Sequence, residues 1–121
     1  MYNSKFFKDD EFERVGCTRS QINDSSLERL DRAREIAGIP FVITSAYRSP
    51  ESEVEKGRSG HSAHTVGCAF DIKCLTNEAR WHIVFGALAA GFKRIGIGST
   101  FVHMDDLNDL TGHPAPRIWL Y

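Results

Sequence analysis

Two short segments constrain the fold of this chain more than any other feature: Cys68-Ala69-Phe70-Asp71-Ile72-Lys73 and Phe101-Val102-His103-Met104-Asp105. Each alternates residue types with a period of two, the period at which strand side chains point to opposite faces. In the first, Phe70 and Ile72 fall on one side and Asp71 on the other. In the second, Val102 and Met104 belong to the apolar side, with Phe101, His103 and Asp105 opposite. Two such strands call for a sheet with one buried face and one polar face. Helical segments supply the cover. Residues 25–37 carry Leu27, Leu30, Ala33 and Ala37 at helical spacing; Ser25-x-x-Glu28 reads as a capping box and Gly38 as the stop. Residues 77–90, capped by Thr76 or Asn77 and stopped by Gly91, place Trp81, Val84, Phe85 and Leu88 in one apolar stripe. The expectation is an α+β domain: a small, mostly antiparallel sheet with helices packed on one face and the polar face left open.

The remaining segments fit that frame. Residues 40–47 are rich in β-formers and read as a strand running into Arg48-Ser49-Pro50. Residues 92–98 read as a strand turning back into Phe101–Asp105 as an antiparallel pair. A short helical turn is expected around residues 9–15, and polar loops over residues 49–62 and 106–116. Trp119 and Tyr121 are expected to pack back on the sheet, with lining of the substrate groove as the alternative. At 121 residues the whole chain, 1–121, is one domain. A net charge of −1 gives no reason to expect a nucleic-acid partner. No apolar run approaches the ~20 residues of a membrane span, and the N-terminus lacks the roughly 7–15-residue apolar core of a secretory signal. Synthesis in the cytoplasm, as a monomer, is the expectation. The three cysteines, Cys17, Cys68 and Cys74, leave an odd count with no CxxC spacing and read as reduced structural thiols.

The chemistry concentrates on the polar face. His64 precedes Asp71 by seven positions, and Gly67 between them suits a backbone turn that a Cβ would resist. A histidine before a turn and an aspartate on the strand after it can converge on one point. A His and an Asp at this spacing also occur by chance, and a strand-borne Asp often only makes surface hydrogen bonds. His103, on the polar face of the second alternating strand, adds a third ligand. Two histidines and one carboxylate suit a catalytic Zn²⁺ with water in the fourth position. Gly96 and Gly98 are followed by no GK[ST], which excludes a phosphate loop. Arg48, at a strand end, offers a guanidinium fork to a substrate carboxylate, or forms an ion pair with Glu51 or Glu53. His61 and Ser62 either contact substrate or hold their loop.

The stretch Ser62-x-His64-x-x-Gly67-x-Ala69-x-Asp71 resembles the zinc peptidases of the D-alanyl-D-alanine carboxypeptidase type, which include phage endolysins. Thr44-Ser45-Ala46-Tyr47-Arg48-Ser49 is similar to the family's Ser-Gly-Tyr-Arg-Ser segment, with Ala46 in place of glycine. Gly96-Ile97-Gly98 and Phe101–Asp105 resemble the final metal-ligand strand, and residues 116–121 the closing segment of the compact subgroup. The resemblance implies a hedgehog/DD-peptidase-like zinc fold with His64, Asp71 and His103 as zinc ligands. It implies that Arg48 engages the substrate's carboxylate or main chain, with Ser62 and His61 nearby. The implied substrate is a peptidoglycan stem peptide, cut at D-Ala-D-Ala or at an L-Ala-D-Glu or cross-bridge bond, on the cell wall after phage-type lysis. One departure stands out: the family's catalytic acid, three residues before the last zinc histidine, is here Thr100, which cannot act as a base. Asp105 is the nearest carboxylate on the correct face and is read as the catalytic base that takes the water's proton and passes it to the leaving amine, with support of His103 as the alternative. Two alternatives follow: a zinc-bearing cell-wall binding or structural module without catalysis, and a cytosolic dipeptidase.

Overall fold

The structure is a computed structural model that describes residues 1–57 and 62–121. Its centre is a five-stranded sheet. The strands are β1 (Ile43–Ser45), β2 (Ala69–Lys73), β3 (Arg94–Ile97), β4 (Phe101–Asp105) and β5 (Arg117–Leu120), in the spatial order β1-β2-β4-β3-β5. Every neighbouring pair is antiparallel except β3 and β5, which run parallel. The α+β class, the mostly antiparallel sheet and the pairing of β3 with β4 are as the alternation implied. Phe70, Ile72, Val102 and Met104 are fully buried on the apolar face. Against that core lie α2 (Asp24–Ala37) and α4 (Asn77–Ala90), which also pack closely on each other. Three shorter helices, α1 (Asp9–Glu13), α3 (Pro50–Glu55) and α5 (Leu107–Thr111), complete the fold.

Several local expectations change. The cap of α2 is Asn23, whose side chain accepts from Ser26 N, rather than Ser25. A carboxamide oxygen already at N-cap geometry satisfies the free amide first. Residues 50–55 are helical, not loop: Ser49 caps them, accepting from Ser52 N, and Pro50 takes the first turn, where its missing N–H costs nothing. Residues 107–111 likewise form a helical turn within the expected irregular loop. The stripe Trp81–Phe85–Leu88 on α4 faces outward, with Trp81 62% exposed; Ile83, Gly86, Ala87 and Ala90 make the buried side. Close approach of α2 decides this. A Cβ on Gly86 would sit 2.3 Å from the Ala33 carbonyl oxygen, so only a small-residue face can reach that helix.

Gly86→Ala tests the point. Helix propensity alone favours alanine by about 1 kcal/mol, but separating two helices whose backbones touch costs about 1–3 kcal/mol. Since the atom met is backbone, which yields little, the expected result is a net loss of about 1–2 kcal/mol in a urea unfolding midpoint. A stabilised variant would show that α2 and α4 can separate freely.

Candidate metal centre and cleft

His64 is set by a backbone turn. Residues Ala63–Val66 form one 3-10 turn that ends on Gly67 at φ 80°, where Gly67 N–H bonds back to the His64 carbonyl at 3.3 Å. The turn is pressed onto the segment before α2. Asn23 N donates to the Gly67 carbonyl at 2.9 Å, and a Cβ on Gly67 would lie 2.2 Å from the Gln21 carbonyl oxygen. His64 itself is buried, and its Nδ1 bonds the Ala46 carbonyl. A carbonyl can only accept, so Nδ1 carries the proton and Nε2 is left with a bare lone pair.

Asp71 and His103 are direct partners across β2 and β4. His103 Nδ1 lies 2.9 Å from Asp71 Oδ1, and His64 Nε2 lies 3.3 Å from the same oxygen. The other His103 nitrogen, Nε2, bonds Asp105 Oδ2 at 2.6 Å. Donation to that carboxylate places the proton on Nε2 and turns the Nδ1 lone pair toward Asp71 and His64. Three electron-pair donors thus face one another, all within 4.8 Å. Zinc bonds of about 2.0–2.1 Å at tetrahedral angles separate ligand atoms by roughly 3.3 Å, and the two distances to Asp71 Oδ1, 3.3 and 2.9 Å, lie near that figure. The donor types and their protonation fit zinc.

The charges follow from the same contacts. Burial pushes the Asp71 carboxyl up, but the His103 and His64 rings beside it outweigh this and hold the group well below the usual carboxylate range. Burial lowers the His103 pKa, and its bonds to Asp105 and Asp71 reverse this to a net rise. For Asp105, burial is likewise overcome, by the His103 bond first, and the net shift is downward. Its Oδ1 also accepts from Arg94 Nε at 2.8 Å and Leu107 N at 3.1 Å.

Around this centre lies a cleft of about 380 Å³ whose walls include Arg48, Glu53, Ser62, Trp119 and Tyr121. Glu53 of α3 is fully buried and its Oε2 accepts from Arg48 Nε at 2.9 Å, while Arg48 Nη1 donates to the Ser45 hydroxyl. The ion pair and the cleft position of Arg48 therefore coexist. Ser62 Oγ is buried with no hydrogen-bond partner among the described residues. His61 lies outside the described residues. Trp119 and Tyr121 do both things open to them, lying over Gly96 of the sheet and lining the cleft. Parallel pairing of β5 onto β3 carries them there, a nonlocal contact that the isolated tail does not reveal. Sequence reasoning also passed over Arg94, whose only signal was a charge at a strand start. All three cysteines are free and buried, with Cys68 raised by burial to about 12.

The family profile for peptidase M15 matches residues 2–105. The chain belongs to the peptidase M15 family. Members are zinc metallopeptidases, so the protein is a hydrolase, and His64, Asp71 and His103 form a group able to bind the metal. No curated protein and no solved structure matches the chain significantly. No helix of this M15 peptidase, among the described residues, is long and apolar enough to cross a membrane.

Proposed function

We propose that this peptidase cuts peptide bonds of peptidoglycan stem peptides, acting as a monomer. The observation that carries the reading is the convergence of three lone pairs, His64 Nε2, Asp71 Oδ1 and His103 Nδ1, on one point at the cleft. The chemistry zinc supplies there is Lewis acidity, which acidifies water and polarises a carbonyl. The chain's own groups do the rest. Arg48 is held by Glu53 and Ser45, and its Nη2 is engaged by none of the described residues. A guanidinium fixed at two points at the cleft suits a substrate carboxylate. Ser62 Oγ, buried and unpartnered among the described residues, is available to bond the substrate main chain.

Of the two roles open to Asp105, its contacts favour positioning of His103. Three donors, Arg94 Nε, His103 Nε2 and the Leu107 amide, already hold the carboxylate. Asp105→Asn, which keeps the shape but loses the charge that orients His103, should weaken zinc binding about 10–100-fold, read by competition with a chromophoric chelator. Unchanged affinity with lost activity would return Asp105 to the base role.

The reading is tested by digesting purified peptidoglycan with the zinc-loaded protein, with and without a chelator, and weighing the released fragments by mass spectrometry. Chelator-sensitive release, restored by added zinc, is expected, and the fragment masses identify the bond, at D-Ala-D-Ala, L-Ala-D-Glu or a cross-bridge. No release from protein holding one zinc per chain would overturn the enzyme on this substrate and favour a binding module.

A further inference from the structure

The polar face of the sheet carries one row of residues, one from each strand. Ser45 of β1 stands opposite Asp71 of β2, Asp71 opposite His103 of β4, His103 opposite Gly96 of β3, and Gly96 opposite Trp119 of β5. Gly96 is the gap in that row. A Cβ there would lie 2.6 Å from the Tyr121 ring and 2.7 Å from Trp119 Nε1. Its absence lets both rings fold down over the sheet. The Trp119 ring centroid then comes to 5.4 Å from that of His103, and the Tyr121 centroid to 6.4 Å. Arg94 secures the arrangement: its guanidinium lies 5.4 Å from the Trp119 centroid, and its Nη1 donates to the Pro114 carbonyl at 2.7 Å. At the other end of the row, Ser45 holds Arg48. The two ends differ in chemistry: Arg48 stands on one side of the metal ligands and an aromatic face on the other, where the neighbouring Arg94 is already paired with Asp105 at 2.8 Å.

We infer that Trp119, seated over Gly96, is the specificity-determining residue of the cleft: its indole forms the apolar wall for a small aliphatic side chain on the acyl side of the scissile bond. This rests on the peptidase reading above, and the residue lies beyond the 2–105 span of the family match. With Arg48 holding a carboxylate on the leaving side, the residue across the metal ligands is the acyl one, which fixes the direction of the bound peptide. An indole is a large, rigid apolar surface, suited to alkyl groups and unsuited to a carboxylate. The reverse orientation would set the carboxylate against the ring and leave Arg48 facing an alkyl group.

The test uses N-acetylated peptides built around the bond that the digest identifies, or N-acetyl-L-Lys-D-Ala-D-Ala if it releases nothing, with the acyl-side residue changed between alanine and glycine. For the wild type, kcat/KM is expected to favour the methyl-bearing peptide by about tenfold. Trp119→Ala should bring that preference near unity while zinc content holds, Trp119→Phe should keep most of it, and Gly96→Ala, which displaces the rings, should follow Trp119→Ala. A uniform loss on both peptides with zinc retained would overturn the assignment, leaving Trp119 a support for His103. A preference that instead tracks the leaving-side residue would overturn the direction. Should the protein cut nothing, Trp119 fluorescence in a Trp81→Phe background still decides, since the chain has only two tryptophans. A saturable change with the tripeptide on zinc-loaded protein would support the wall though the peptidase reading had failed, and no change would overturn the wall.

Discussion

Asp71→Ala is expected to abolish zinc binding and to lower peptide hydrolysis by about a thousandfold or more. The magnitude follows from what a Lewis acid contributes, several kcal/mol of transition-state stabilisation at about 1.4 kcal/mol per tenfold. Asp71 is the hub of the ligand set: its Oδ1 is within 3.3 Å of both histidine nitrogens, and it holds the only negative charge of the three. Without it, two imidazoles face each other across the site, 5.1 Å apart at their centroids, and the ligand set has lost its carboxylate. Asp71→Asn should fail almost as completely, because it keeps size and loses charge. The fold should survive both changes, since the side chain stands on the polar face and the core residues Phe70 and Ile72 are untouched. Zinc content by elemental analysis and kcat/KM on the same preparation check this. An Asp71→Ala protein that keeps one zinc and near-normal activity would mean that the catalytic metal sits elsewhere.

The second large effect belongs to a residue with no side chain. Gly67→Ala should destabilise the protein by about 3 kcal/mol or more and weaken zinc binding at least tenfold. Two costs combine. The residue sits at φ 80°, where an L side chain carries about 1–2 kcal/mol of strain. The added Cβ would also meet the Gln21 carbonyl oxygen at 2.2 Å, a backbone atom that cannot rotate away. Relief requires lifting the turn off residues 21–23, which breaks the Asn23 N to Gly67 carbonyl bond and moves His64, three positions earlier. A thermal melt and a chelator competition on the same variant separate the two readouts. Unchanged values in both would show that the turn has slack and that His64 is not placed by it.

These two residues also mark how much of the protein can be read from its residues in order. The alternation in Cys68–Lys73 and Phe101–Asp105 determined the sheet, its buried face and the shared face of Asp71 and His103, because a period of two is a local property that survives any strand order. Gly67 and the spacing of His64 to Asp71 pointed to the turn, and glycine stops closed both long helices at Ala37 and Ala90. What the linear order left undetermined is every choice that depends on which surfaces meet. The outward stripe of α4 was decided by the touch of Gly86 on Ala33, not by the strength of its apolar periodicity. Glu53 became the partner of Arg48 only once α3 folded it into the cleft. Trp119 reached His103 through β5 joining β3 across a glycine gap, a pairing between residues more than 20 apart in sequence. Side-chain alternation is fixed by the backbone of one strand, whereas neighbours across strands and helices are fixed by steric fit, and that is where the sequence by itself stops and the tertiary structure decides.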